Sequence, residues 1–333
     1  MRQHLSTAAR TLLVATSLCA GLAPAEQNVP GTLLVFPEFD NRAGVTNVLT
    51  VTNLSHDQSI KVEFVYIGRR INGDVEIPCG EFNRTETLTP KDQFTFLTKD
   101  HNPELEQGYV YAFAKDVVTN EPVAFDHLVG SALKVDTIYV LDYGINPMVF
   151  QAGAGLNELD PTDLDGDGLR DMNGLEYGQA PDRVVIPRFF GQGFFNASYL
   201  HLIGLSGTQF DTTLDFLVYN DNEEVFSTEY TFQCWDRVWL KDISGIFDNL
   251  YLQNYTNHDP NEIFGAPILE SGWMEIDGGV ASSDSTSIDD PAFLAFMSEG
   301  LETLQVADLP FTIGSQDNGD LLSRSLAGDT SRK

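Results

Sequence analysis

Leu34-Val35-Phe36-Pro37-Glu38-Phe39 returns as Val184-Val185-Ile186-Pro187-Arg188-Phe189, 150 positions later. Further matches follow in the same order. Val48–Ser55 is echoed by Tyr199–Ser206, Val62–Val65 by Leu214–Leu217, and Cys79 by Cys234. Gly108-Tyr109-Val110 is echoed by Gly272-Trp273-Met274, and Gly130–Asp136 by Gly300–Asp308. Order kept over six blocks points to one unit written twice, with loops of unequal length. The blocks are strand-like. Val45–Asn53, Lys61–Ile67, Gln93–Leu97 and Tyr109–Phe113 alternate apolar with polar residues or are rich in β-branched and aromatic ones. Turn clusters such as Asn41–Gly44 and Thr89–Asp92 separate them, with no alternating helices. An all-β chain of two tandem sandwiches is therefore expected, copy one at 26–150 and copy two at 183–314. Val123–Leu128 and Ala292–Met297 are both read as strands, and Ile243–Leu252 as able to form a short helix.

The ends read differently. Arg2 and Arg10 precede or flank an apolar stretch, Thr11–Leu22, and Ala23-Pro24-Ala25 supplies small residues for cleavage. Residues 1–25 are expected to be an export signal, and the protein periplasmic or extracellular. The apolar stretch is about half of the roughly 20 residues that a spanning helix needs, and no later segment suits a membrane span. Ser315–Lys333 is polar and rich in Gly, Ser and Asp, and reads as a disordered tail.

The net charge is −30, and loss of Arg2 and Arg10 would make it more negative still. Such a surface repels phosphate backbones and anionic lipid headgroups, so neither nucleic acid nor membrane is an expected partner. It favours solubility and cations. Cys79 and Cys234 remain after the signal; they either bridge, if equivalent positions meet across a local two-fold axis, or stay as two buried thiols.

One stretch carries chemistry. Residues 151–182 form an acidic linker containing Asp163-Leu164-Asp165-Gly166-Asp167-Gly168-Leu169-Arg170-Asp171. Alternate carboxylates converge on a hard cation, Gly permits the sharp turn, and the seventh position offers a carbonyl. The stretch resembles the calcium loops of EF-hands, dockerins and thrombospondin type 3 repeats. The resemblance implies Ca2+ held by Asp163, Asp165, Asp167, the Leu169 carbonyl and Asp171. Position 12 departs from the pattern, since Gly174 stands there. Either Glu176, two residues late, closes the shell, or Asp160 or Asp182 does. The segment VLTVTNLSHDQSIKVEFVYIG of copy one resembles immunoglobulin-like modules of secreted bacterial surface proteins, which implies a fold and no activity.

Other candidates are weaker. His56, His101, His127, His201 and His258 lack zinc-ligand spacing. Ser131-Ala132-Leu133-Lys134 matches an acyl-transferase nucleophile pattern but sits in a repeated strand. Acidic pairs such as Glu63 and Asp215 carry no weight among 49 acids. Four glycosylation sequons, at Asn53, Asn83, Asn196 and Asn254, depend on the host. The expected function is a non-catalytic structural or adhesive protein stiffened by calcium, its partner a cell-envelope or extracellular polysaccharide or protein. The alternative is a carbohydrate- or ligand-binding module using Trp235, Trp239, Tyr251, Tyr255 and Trp273, and behind it a hydrolase with a site between the domains.

Overall fold

The computed structural model describes residues 29–72, 75–137, 142–193, 196–220, 222–256, 270–301 and 304–321. The expected export signal lies outside them. The first nine strands are β1 (Leu33–Asp40), β2 (Val45–Asn53), β3 (Ile60–Asn72), β4 (Val75–Leu88), β5 (Gln93–Leu97), β6 (Gln107–Lys115), β7 (Leu128–Asp136), β8 (Tyr143–Ile145) and β9 (Met148–Phe150). They form two antiparallel sheets, ordered β4-β3-β6-β1-β9 and β5-β2-β7-β8. Alternation explains the layering: β2 buries Val45, Leu49 and Val51 and turns Thr46 outward. Leu34, Phe36, Phe64 and Val110 from one sheet meet Leu49 and Val51 from the other in one apolar core.

The chain then repeats this layout. β10 (Arg183–Phe190), β11 (Asn196–Gly204), β12 (Asp211–Asn220), β13 (Val225–Gln233), β14 (Trp235–Trp239), β15 (Ser271–Ser282), β16 (Ser287–Asp289), β17 (Phe293–Leu301), β18 (Leu304–Asp308) and β19 (Phe311–Ile313) follow. Their sheets are ordered β13-β12-β15-β10-β19, with β16 on β15, and β14-β11-β17-β18. Apart from β16 the two orders correspond strand for strand. A second core of Val184, Ile186, Leu200, Leu202, Phe216 and Met274 lies between these sheets.

The repeated Leu-Val-Phe-Pro and Val-Val-Ile-Pro stretches mark the same irregularity. The ladder shifts register between Phe36 and Phe39 on β1 and between Ile186 and Phe189 on β10. Proline donates no ladder hydrogen bond, and a bulge is where a sheet tolerates it. The glycines paired with Phe39 and Phe189 answer a different constraint, close approach of the strand on their other side. A Cβ at Gly108 would collide with the Ile67 carbonyl, and one at Gly272 with the Tyr219 carbonyl.

Several expectations are corrected. Strand β7 corresponds to β17, because Leu49 pairs with Ala132 while Leu200 pairs with Met297. Gly130 therefore matches Ala295, not Gly300. Val123–Leu128 is not a strand: Val123 makes an isolated bridge to Pro161, and β7 begins only at Leu128. The region from Leu240 to Tyr255 holds two short helical turns and a seven-residue helix, Asn249–Tyr255, capped by Asp248. The start of the expected tail is built into the fold. Gln316 bridges Ala180, Asp320 bridges Asp171, and Leu321 is buried in an apolar cluster. The rest of the tail lies outside the described residues.

Cys79 and Cys234 form a disulfide, Cα to Cα 6.1 Å. They do not stand at matching positions. Glu63 pairs with Thr85 and Asp215 with Glu229, so Cys79, six residues before Thr85 on β4, has no counterpart at Cys234, which lies beyond the end of β13. The halves meet face to back instead. The outer side of β3-β6-β1, with Val35, Val65, Ile67, Tyr109 and Tyr111, packs against Ile203, Trp235 and Leu294 of the second half and Met172 and Tyr177 of the linker. This is why β1 is buried on both sides while β10 alternates.

Candidate metal centre

The linker crosses the outer side of the first half's sheet. Arg170 is buried with its guanidinium 5.0 Å from the Phe113 ring centre, and Tyr177 bonds Thr162 through their hydroxyls at 2.8 Å. The far side is tied to the chain's end: Met172 N donates to Gly319 O at 2.8 Å, and Leu321 N to Arg170 O at 3.3 Å. The acidic loop is thus held on both flanks.

Within it, Gly166 and Gly168 adopt positive φ of 77° and 82°, where a side chain would be strained. Each turn is closed by a carboxylate. Gly166 N donates to Asp163 Oδ1 at 3.0 Å, Asp167 N to Asp165 Oδ1 at 3.1 Å, and Leu169 N to Asp167 Oδ1 at 2.8 Å. Two overlapping groups result, Asp163–Asp165–Glu176 and Asp165–Asp167–Asp171, and in each one oxygen from every carboxylate lies within 4.8 Å of the others. Such clusters can hold a metal ion.

Gly174, with φ 82°, turns the chain back and brings Glu176 under the loop. Glu176 is buried and accepts from Leu164 N at 2.5 Å and from Asp171 N at 3.4 Å. Asp160 instead accepts from Asn157, and Asp182 lies 3.7 Å from Arg183. Leu169 is buried beside the loop. The carboxylates crowd one another. Burial, Asp320 and Glu176 push the Asp171 carboxyl up to about 7. Burial also raises Glu176, against the pull of the Leu164 and Asp171 N–H groups and Arg170. Arg170 Nη2, 3.5 Å from Asp163 Oδ2, is a cation already at the loop's edge.

A second polar cluster was invisible in the sequence. Glu38 of β1 is buried at the junction of the halves. Lys134 Nζ donates to it at 2.5 Å, Tyr143 donates its hydroxyl, and Arg237 Nε lies 3.4 Å away. His201, fully buried, stacks on Phe296 and bonds Ser298 Oγ at 2.8 Å, with Nδ1 3.9 Å from Glu38. Burial pushes the Glu38 carboxyl up, but the cations Lys134 and Arg237 outweigh it and hold it well below the usual range. Burial, with Arg237 and Lys134, keeps His201 neutral. Ser298 and His201 are both fully buried, so their pairing joins strands rather than meeting a substrate. The corresponding pair in the second half is Arg188 with Glu299, 3.2 Å apart. Glu38 corresponds to Arg188 and Lys134 to Glu299, so the ion pair recurs with its charges exchanged.

Ser131 and Lys134 point to opposite sides of β7, Ser131 exposed and Lys134 buried, and make no pair. The five aromatic residues expected to form a binding platform, Trp235, Trp239, Tyr251, Tyr255 and Trp273, are not gathered. Trp235 is buried at the junction and donates to Pro37 O at 3.2 Å, Trp273 stacks on Tyr219, and Trp239 lies beside Tyr199. Tyr251 and Tyr255 sit together on the short helix, with Tyr255 exposed. Among the described residues no helix is long and apolar enough to cross a membrane.

No family model and no curated protein matches the chain. Among solved structures it is similar to a Parabacteroides distasonis protein described as secreted, with TM-score 0.18 and 8% identity over 83% of this chain and 75% of that one. It is also similar to a chain of the naturally occurring empty particles of cowpea mosaic virus, with TM-score 0.17 and 11% identity over 95% and 100%. At such scores neither likeness carries an argument.

Proposed function

We propose that this chain is an exported, non-catalytic structural or adhesive protein. Its halves, 26–150 and 183–314, are two copies of one immunoglobulin-like sandwich, and its linker, 151–182, is stiffened by a calcium ion. The observation that carries the reading is the gathering of Asp163, Asp165, Asp167, Asp171 and Glu176 in two overlapping groups on one loop, held between the first half's sheet and the stretch ending at Leu321. Calcium suits an all-oxygen set with mixed carboxylates and a backbone carbonyl; magnesium demands a tighter octahedron. Glu176 takes the place of the usual ligand at loop position 12, and Leu169 offers its carbonyl from position 7.

The disulfide supports an oxidising compartment, in line with an export signal at 1–25. The matched strand orders and the matched bulges support duplication. A disulfide, a buried ion cluster and a shared apolar cluster hold the halves together, which suits a stiff spacer better than a hinged clamp.

Limited proteolysis tests the linker's role. With calcium present, cleavage within Gln151–Asp182 is expected to be slow; with chelator it is expected to quicken before any cut in the sheets. Equal cleavage with calcium and with chelator would overturn the stiffening.

A further inference from the structure

The halves are joined by unlike faces, and each half owns both kinds. The second half meets the first through the outer side of β14-β11-β17, where Trp235, Ile203 and Phe296 are buried. Register places Thr50 where His201 stands: Thr50 pairs with Thr95 and Ser131, His201 with Arg237 and Phe296. In the first half this side presents Val48, Thr50, Thr95, Leu97, Ser131 and Leu133, with Leu97 and Leu133 exposed. Across β5, β2 and β7 it carries no charged residue, on a chain of net charge −30.

The receiving face also has a counterpart. In the first half, Val35, Val65, Ile67, Tyr109 and Tyr111 receive the second half and the linker. The corresponding residues on β10, β12 and β15 are Val185, Leu217, Tyr219, Trp273 and Glu275. Leu217 is exposed, as are Phe311 and Ile313 on the neighbouring β19. A cleft of about 550 Å³ opens there, lined by Asp215, Glu229, Glu275 and Asp277 and by Arg183, which lies 3.9 Å from Glu275.

We propose that copies of this chain join head to tail through these faces, β5-β2-β7 of one copy on β10-β12-β15-β19 of the next. The contact reuses between molecules the pairing of sheets that joins the halves within one, with Thr52, Gln93 and Val129 standing where Ile203, Trp235 and Leu294 stand in the observed junction. It joins two different faces, so it extends into a filament unless the rotation closes a ring. Its chemistry is compatible: threonine and serine hydroxyls on the neutral face donate hydrogen bonds to the carboxylates on the other. An acidic face there would instead repel Asp215 and Glu275. Long-range repulsion between acidic copies opposes assembly at low salt. It fades as the screening length falls from about 10 Å at 0.1 M to about 3 Å at 1 M. The inference rests on the structural reading above and names its partner as a second copy.

Sedimentation velocity of the full chain in calcium tests it. Monomers are expected at low salt, and species that lengthen with protein concentration at high salt. Thr95→Glu on one face and Leu217→Glu on the other should each abolish growth. An equimolar mixture of those two variants should stop at dimers, since each retains one working face. Val118→Glu, on an exposed turn, should grow as the parent does. A chain that stays monomeric throughout overturns the proposal, as does growth indifferent to both face variants, which is salting-out. A dimer lost with Thr95→Glu but kept with Leu217→Glu overturns it in favour of two-fold pairing of neutral faces. Monomers whose linker still responds to calcium would refute the assembly alone and leave the structural reading standing.

Discussion

Replacing Cys79 and Cys234 together by alanine is expected to lower the unfolding free energy by about 5 kcal/mol, the value of the chain-entropy relation for a loop this long. The bridge spans 155 positions, so without it the unfolded chain gains the freedom of a very large loop. The crosslink also joins the two halves, whose remaining ties are non-covalent. Reduction of the parent protein should reproduce the loss. Urea unfolding with and without reductant checks it: the parent's midpoint should fall to that of the double variant. Coincident curves for oxidised parent and double variant would contradict the expectation. The fold should survive at neutral pH, because the cluster around Glu38 and the apolar junction persist.

Lys134→Met is expected to cost about 3 kcal/mol at neutral pH, the lower end for removing one partner of a buried ion pair. Arg237, 3.4 Å from Glu38, limits the damage. The pH dependence separates a charge effect from lost packing. Glu38 is held below its unfolded value near 4.3. Its stabilisation is therefore present above that pH and lost as pH falls through the folded value. Without Lys134 the folded carboxyl rises, and protonating it becomes less harmful. The gap between parent and variant should shrink as pH drops below about 4. A gap constant from pH 7 to pH 3 would assign the loss to packing.

The sandwich layout was legible because strand period, turn clusters and the Pro and Gly positions are local signals that both halves retain. Leu-Val-Phe-Pro and Val-Val-Ile-Pro could be matched because a bulge needs the same residue types each time. The last block misled. Gly130 and Gly300 look alike, but the strand β17 pairs through Ala295 and Met297, and only pairing reveals that. The cysteines misled for the opposite reason: they meet because the halves pack face to back, which no spacing encodes. The acidic loop was legible from its aspartates and glycines. Glu176 was legible only as a candidate, since the left-handed turn at Gly174 decides where it goes. The Glu38 cluster drew on residues from β1, β7, β8, β11 and β14 and left no local trace. The ordered stretch to Leu321 was likewise hidden, because it is polar by composition and held by the linker.

Calcium at the acidic loop is the centre of this account. Five carboxylates gathered at short range repel one another, and a bound cation turns that repulsion into attraction. A site that binds only the folded chain adds about 2.7 kcal/mol at one hundred times its Kd. The most direct measurement is calorimetric titration of calcium into chelator-treated protein, beside Asp165→Ala, which deletes the carboxylate common to both clusters. One calcium per chain is expected, with a weaker response to magnesium, a higher melting temperature with calcium, and loss of the calcium response in the variant. No heat from calcium, together with an unchanged melting temperature, would contradict it.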